Sequence, residues 1–233
     1  AIGYLTLEGL PWLMLAGILT SIFLYTKLNT ITTQPRNNGN QLPWKTTLAK
    51  MRHVMVPLGI LVFTRSMMIV TLTTYMPTFL TSEGSSLWVA GASLSILESA
   101  GVVGAFLAGS LSDTFGRRRM LLISFIATPI FMFLFLQTQG VLQVPILIMI
   151  GFFGISITPV LMAIVQENFP DNRSLANGIY MFFNFSLMAL ATLIIGIISD
   201  LIDLRFTFTL SAILVLIGIP FIRMLPKSKK NEE

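Results

Sequence analysis

The sequence predicts an all-α membrane protein. Of its 233 residues, 54% are hydrophobic and only 11% are charged, and the mean hydropathy of +0.81 is too high for a protein with a water-facing shell. The apolar residues form long continuous runs. Crossing a hydrocarbon layer of roughly 30 Å takes about 20 apolar residues in a helix, which satisfies its own backbone hydrogen bonds. Continuous runs of this length favour helices over a barrel.

The composition also excludes several kinds of site. The chain has no cysteine, which excludes disulfides, thiolate metal sites and thiol catalysis. Its single histidine, His53, stands in a basic connection, and no nucleotide-binding glycine loop is present. We therefore predict no metal, no cofactor and no enzymatic activity. The net charge of +5 is concentrated beside the ends of apolar segments, so we expect a lipid bilayer and no nucleic acid as partner.

The hydropathy pattern predicts seven spans, at approximately 9–27, 54–80, 87–111, 119–138, 143–165, 175–199 and 204–225. Lys and Arg occur in the connections after the first and third spans and in the tail. The connections at 81–86 and 138–143 contain neither. By the positive-inside rule, we expect a multi-pass protein of the inner or plasma membrane whose basic connections and C-terminus are cytoplasmic.

The chain starts without Met or a signal peptide, and we interpret it as the C-terminal part of a longer protein. A polar segment rich in Asn, with a proline, follows the first span and is typical of a linker. The predicted organisation is a last transmembrane helix of a missing N-terminal half at 1–28, a cytoplasmic linker at 29–53, a six-helix transport bundle at 54–226 and a charged cytoplasmic tail at 227–233. The missing six-helix half of the same polypeptide is then a partner of this chain.

A short string recurs at the ends of two spans. Gly-x-x-Ser-Asp ends the third span at Asp113 and the sixth span at Asp200. The third span runs inward and the sixth outward, so the two copies lie at opposite membrane faces. Spans two to four and five to seven are therefore predicted to be two three-helix repeats of inverted topology.

The loop after the third span reads Gly109-Ser-Leu-Ser-Asp113-Thr-Phe-Gly116-Arg117-Arg118-Arg119. It resembles the signature of the major facilitator superfamily, Gly-x-Leu-x-Asp-x-x-Gly-Arg-Arg/Lys, which follows the second helix of each six-helix half. The resemblance implies a major-facilitator-type six-helix bundle of two inverted three-helix repeats, with one preceding transmembrane helix. It also implies transport of a small-molecule substrate by alternating access between two halves.

Further strings, among them Thr158-Pro-Val160 and Leu175-Ala-Asn-Gly-Ile-Tyr180, resemble the fosmidomycin-resistance-type efflux branch of that superfamily. This resemblance implies an antiporter for drug resistance that exports a small drug-like or anionic compound in exchange for protons. The residues leave an alternative open, a proton-coupled symporter that imports a sugar or an organic acid.

The signature has a physical interpretation of its own. Asp113 falls at the C-terminal end of a helix, where the helix dipole disfavours a carboxylate, so it needs a partner. We expect a conformational latch formed by Gly109, Asp113, Gly116, Arg117 and Arg118, with Gly109 for close helix approach and Gly116 for a tight turn. The alternative is that the arginines only fix topology and bind anionic headgroups. Near the cytoplasmic end of the fifth span we expect a gate, formed by Gln166, Glu167 and Arg173.

Two charges fall near the bilayer midplane, Arg65 in the second span and Glu98 in the third. An unpaired charge at this depth costs about 2.5–3.5 kcal/mol, so we expect the two to pair. Our hypothesis is that Glu98 binds a proton and that Arg65 is its partner and binds an anionic substrate; the alternative is a permanent bridge. Pro159 predicts a kink in the fifth span. The remaining candidate substrate contacts, which could instead bond between helices, are Tyr75, Tyr180 and Asn184.

Overall fold

A computed structural model describes residues 13–28 and 44–225, in two compact units that divide after residue 40. Within the described ranges the chain forms helices and turns and no strand. The first unit contributes α1 (Leu13–Leu28). The second contains α2 (Trp44–Thr74), α3 (Met76–Ser82), α4 (Leu87–Phe115), α5 (Arg117–Gln137), α6 (Gln143–Ile155), α7 (Ile157–Asn168), α8 (Arg173–Leu201), α9 (Leu204–Ile217) and α10 (Ile219–Met224). Single 3₁₀ turns precede α6 and α8.

Six segments of the described chain are long and apolar enough to cross a membrane: His53–Thr74, Leu87–Phe115, Arg117–Gln137, Gly140–Asn168, Arg173–Leu201 and Leu204–Met224. They correspond to the second to seventh spans of the sequence prediction. The first predicted span, 9–27, lies partly outside the described residues, and its described part is the 16-residue helix α1. Helix α2 begins at Trp44, within the segment predicted as linker.

Two of the spans contain two α-helices each, α2 is followed directly by the short helix α3, and each of the three breaks precedes a proline. The breaks lie at Tyr75 before Pro77, at Ser156 before Pro159 and at Gly218 before Pro220. Proline has no N–H to donate to the carbonyl four residues earlier, so the helical hydrogen-bond pattern is interrupted there. The kink predicted from Pro159 is confirmed. Helices α2 and α5, by contrast, continue through internal prolines.

The bundle is organised around close pairs of helices. Helix α4 packs mainly against α6, α2 packs against α8 and α9, and α5 lies against α6 and α9. The buried stripe of α4 consists of Ala90, Ser93, Leu97, Gly101, Gly104, Ala108 and Ser112. A Cβ atom at Gly104 would lie 2.5 Å from the carbonyl oxygen of Phe152, and one at Gly151 would overlap the carbonyl oxygen of Leu97. Glycine therefore sets the separation of α4 and α6.

The helices differ in how far the bundle covers them. In its most apolar stretch, the second span is 72% buried, whereas α4 and α8 are only 22% and 11% buried. Large apolar side chains such as Phe106 and Phe182 are exposed on these two helices. The surfaces of α4 and α8 are therefore available to lipid or to a second bundle.

Candidate functional site

The turn between α4 and α5 depends on Gly116. Its φ of 89° lies in the region that favours glycine, and its N–H donates to the carbonyl of Ser112 at 3.1 Å. The chain can therefore reverse direction within one residue, which confirms the predicted tight turn, and α5 begins at Arg117 rather than at 119. The predicted close approach at Gly109 is wrong for the described residues: a Cβ atom there would have no atom of another residue within 4 Å. Gly104 and Gly101, roughly one and two turns earlier, form the close approach instead.

Arg117 joins the predicted latch to the predicted gate. Its Nη2 donates to Oδ1 of Asp113 at 3.1 Å, within the same turn, and to Oε1 of Glu167 at 2.6 Å, at the end of α7. The Arg117 side chain is only 14% exposed, whereas Glu167 is 35% and Asp113 51% exposed. A largely buried guanidinium between two carboxylates is a charge-assisted contact of the stronger kind. It connects the first three-helix repeat to the second.

The other latch and gate residues take different positions. Arg118 is half-buried, and its Nε atom has no hydrogen-bond partner among the described residues. Gln166 donates to the Asn177 side chain of α8 at 3.5 Å. Arg173 begins α8 with an exposed side chain. Of the predicted gate residues, Glu167 therefore contacts the latch directly and Gln166 contacts the neighbouring helix.

A second arginine lies at the opposite face of the bundle. Arg205, at the start of α9, donates through Nη1 to Oε1 of Glu83 at 3.5 Å and through Nη2 to the carbonyl of Leu136. Glu83 caps the C-terminal end of α3, as Glu167 nearly ends α7. The arginine that begins the third span of each repeat thus contacts an acid at the end of the first span of the other repeat. This relationship agrees with inverted topology, and the sequence pattern alone did not indicate Glu83.

The structure does not bring Arg65 and Glu98 together. Arg65 is 7% exposed, and its Nη2 donates to Oγ1 of Thr158 at 2.8 Å and to the carbonyl of Ile155 at 3.4 Å. The expected pair is therefore wrong for this conformation, whether permanent or switched. Among the residues that the structure describes, no carboxylate lies within ion-pair distance of Arg65. The acceptor carbonyl was indicated by the sequence, because Pro159 cannot donate to Ile155, four residues earlier.

Glu98 faces away from the packing surface of its helix. It follows Leu97, a member of the buried stripe of α4, and successive residues of a helix point about 100° apart. Its side chain is exposed and forms no ion pair with any residue in the described ranges. The spacing of Gly101 and Gly104 marks the same stripe in the sequence and indicates this orientation of Glu98.

The three remaining candidates lie at the break after α2 and along α8. Tyr180 is 1% exposed, its hydroxyl has no hydrogen-bond partner among the described residues, and it lies within electrostatic range of Arg65. Tyr75 is half-buried at the break after α2, and its hydroxyl limits the space beside Gly196. Asn184 is half-buried on α8. We group the buried residues Arg65 and Tyr180 with Thr158, the half-buried acceptor of Arg65, and call the three the Arg65 cluster.

Over residues 13–28 and 44–225, no group of three His, Cys, Asp or Glu side chains is placed to hold a metal ion. The residues of the Arg65 cluster offer hydrogen-bond donors and a positive charge, which suit an anion.

Comparison with known proteins decides the family. The family model described as Major Facilitator Superfamily matches residues 92–233, more than half of the sequence. The chain belongs to the major facilitator superfamily. The matched residues include the turn at Gly116 and the bridge between Arg117 and Glu167. They also include Arg205 of the second bridge, but not its partner Glu83. The chain is therefore a multi-pass membrane protein of a transporter family.

A solved structure of this superfamily supports the fold. The transporter FucP, in the outward conformation, is similar with a TM-score of 0.71 and 15% sequence identity. The alignment covers 93% of this chain and 54% of FucP, so the chain spans about half the length of that transporter. At this identity the likeness concerns the fold. No curated protein sequence matches the chain significantly.

Proposed function

We propose that this chain is the C-terminal part of a proton-coupled antiporter, which exports a small drug-like or anionic compound by alternating access. In this proposal residues 1–28 end the N-terminal half, residues 29–53 link the halves, and the basic connections and the C-terminus face the cytoplasm of an inner or plasma membrane. The relation to the fosmidomycin-resistance-type branch belongs to the same proposal.

The position of Glu98 is the main observation that supports proton coupling in this proposal. At 1.5 Å per residue, it lies about 16 Å along α4 from Leu87 and roughly 25 Å from Phe115, well inside the membrane-spanning helix. Its side chain is exposed and unpaired among the described residues. A charged carboxylate in hydrocarbon is costly, whereas the protonated acid is far less so. Such a group suits alternate protonation and release when a second bundle gives it access to water.

Arg117 and its carboxylate partners support the conformational part. We propose that this latch, with Gly116 as its turn, holds the two repeats in one arrangement at the face of the gate residues Gln166, Glu167 and Arg173. Rigid repeats allow the six-helix half to rock as one body against its partner half. Tyr75, Tyr180 and Asn184 are proposed as substrate contacts.

Gradient-driven transport by the full-length protein tests the proton role. Cells that express the protein are first compared with cells that lack it for tolerance to fosmidomycin and to unrelated compounds. A compound to which tolerance rises is then used as the substrate for transport assays in proteoliposomes. We expect an imposed pH gradient to drive substrate accumulation, and Glu98→Gln to abolish that accumulation. Glu83→Gln, the same change at an acid beyond the end of α3, is the matched control and should retain it. Undiminished gradient-driven transport by Glu98→Gln would eliminate the proton role.

A second candidate is a symporter that imports an organic acid. The observation in its favour is Arg65, which lies without a carboxylate partner among the described residues and suits a substrate carboxylate. The two candidates differ in the sign of the coupling. An exporter accumulates substrate against an opposed proton flow, whereas a symporter accumulates it with protons moving in the same direction.

A further inference from the structure

The break between α6 and α7 supplies two hydrogen-bond acceptors for the guanidinium of Arg65. Because Pro159 has no N–H, the carbonyl of Ile155 lacks its usual helical donor and is free to accept from other groups. It accepts from Arg65 at 3.4 Å and from the Thr158 hydroxyl at 3.3 Å. The Thr158 oxygen in turn accepts from the same Nη2 of Arg65 at 2.8 Å. The helix break therefore fixes one edge of the guanidinium.

These two acceptors orient Arg65 but do not neutralise its positive charge. Both of its acceptors are uncharged oxygens, and no described carboxylate pairs with Arg65. The Nε atom of Arg65 and the hydroxyl of Tyr180 are each buried and have no hydrogen-bond partner among the described residues. A buried charge and buried polar atoms without partners are costly, so sites of this kind call for a complementary group. A ligand with anionic oxygens supplies both the charge and the acceptors.

We propose that the Arg65 cluster binds the carboxylate or phosphonate group of the transported compound, and that Thr158 is the positioning residue for the guanidinium. This inference rests on the proposed function, since it names the chemical class of that transporter's substrate. Arg65 and Tyr180 contact the anion, whereas Thr158 acts through Arg65. A planar guanidinium fixed along one edge presents its remaining donors in a set direction, which favours an oxyanion over a neutral compound.

The site is buried, but the residues of the helix break beside it are only half-buried. Thr158 and Ile155 are half-buried, whereas Arg65 is buried. Movement of α7 relative to α6 costs no hydrogen bond at Pro159, because the bond to Ile155 is already absent. In this proposal an anion reaches Arg65 when α7 tilts relative to α6 at Ser156.

Thermal unfolding of the purified full-length protein tests the site without a gradient. The probes are benzoate and methylphosphonate, each compared with its uncharged counterpart, benzamide or dimethyl methylphosphonate, at constant ionic strength. We expect the anions, and not the neutral counterparts, to raise the melting temperature of the wild-type protein in a saturable way. Arg65→Gln should remove this response, and Thr158→Val should weaken the apparent anion affinity about tenfold.

Two variants keep the test decisive. Arg119→Gln, which removes an exposed arginine at the α4–α5 turn, is the matched control and should respond as the wild-type protein does. If Arg65→Gln does not fold, Arg65→Lys keeps the charge and removes the Nε donor, and its apparent anion affinity should fall about tenfold or more. Equal stabilisation by anions and neutral counterparts, or a full anion response in Arg65→Gln or Arg65→Lys, would overturn the proposal.

The outcome is separable from that of the proposed function. Anion binding that depends on Arg65, together with transport that ignores the pH gradient, would sustain the site and refute proton coupling. Gradient-driven transport of neutral compounds alone, with no anion binding, would sustain the coupling and refute the site.

Discussion

Nη2 of Arg117 lies 2.6 Å from Oε1 of Glu167, a residue 50 positions later in the chain. The contact joins the start of the third span of one repeat to the end of the first span of the other. Arg205 and Glu83 form the corresponding contact at the opposite face, at 3.5 Å. The two bridges differ in burial, since Arg117 is 14% exposed and Arg205 50% exposed. Burial and distance predict different contributions to the free energy of unfolding.

The first prediction concerns the bridge between Arg117 and Glu167. Glu167→Gln removes the closer of two carboxylates from a largely buried guanidinium, and we expect it to lower the free energy of unfolding by about 1–3 kcal/mol. The measurement is thermal unfolding of the full-length protein in detergent.

Arg119→Gln serves as the control for this prediction, because it removes an exposed arginine two positions after Arg117. It should change the free energy of unfolding by less than about 0.5 kcal/mol. An unfolding curve of Glu167→Gln that coincides with that of the control would contradict a stabilising bridge.

The second prediction concerns the bridge at the opposite face. Glu83→Gln leaves the hydrogen bond from Arg205 to the Leu136 carbonyl in place and removes only an ion pair between two partly exposed side chains. Pairs of this kind contribute about 0–1 kcal/mol, and salt screens them. We expect a smaller loss of stability than for Glu167→Gln, and one that disappears at high ionic strength. A larger loss of stability in Glu83→Gln than in Glu167→Gln would contradict this prediction.

The third prediction concerns the contact of α4 with α6. Gly151→Ala would place a Cβ atom against the backbone carbonyl of Leu97, which cannot turn aside as a side chain can. We expect the helices to be forced apart, with a loss of about 1–3 kcal/mol in the free energy of unfolding. Gly178→Ala in α8 is the matched control, because nothing lies within 4 Å of its Cβ position. The control should be neutral or stabilising by up to about 1 kcal/mol, since alanine is the better helix former.

The helical spans followed from the sequence because hydrocarbon imposes a length and an apolar composition on any segment that crosses it. The turn at Gly116 and the kink near Pro159 were also predictable, because each depends on the backbone chemistry of one residue. Boundaries were less accurate. The predicted second span, 54–80, is divided by a break at Tyr75, and α2 begins at Trp44 rather than at 54.

The partners of the charged residues depended on the rotation of each helix, which composition does not fix. Equal depth in the membrane suggested that Arg65 pairs with Glu98, yet close packing of α4 on α6 through Gly101 and Gly104 turns Glu98 outward. Arg65 is directed instead to the carbonyl that Pro159 leaves free.

The sequence by itself determined a bundle of membrane-spanning helices, its signature turn and the residue types that carry charge into it, because these follow from local backbone rules and from the solvent. Only the tertiary structure decided which charges meet. An ion pair requires two side chains to point at each other from different helices, and the side-chain packing that sets those directions is a property of the whole bundle.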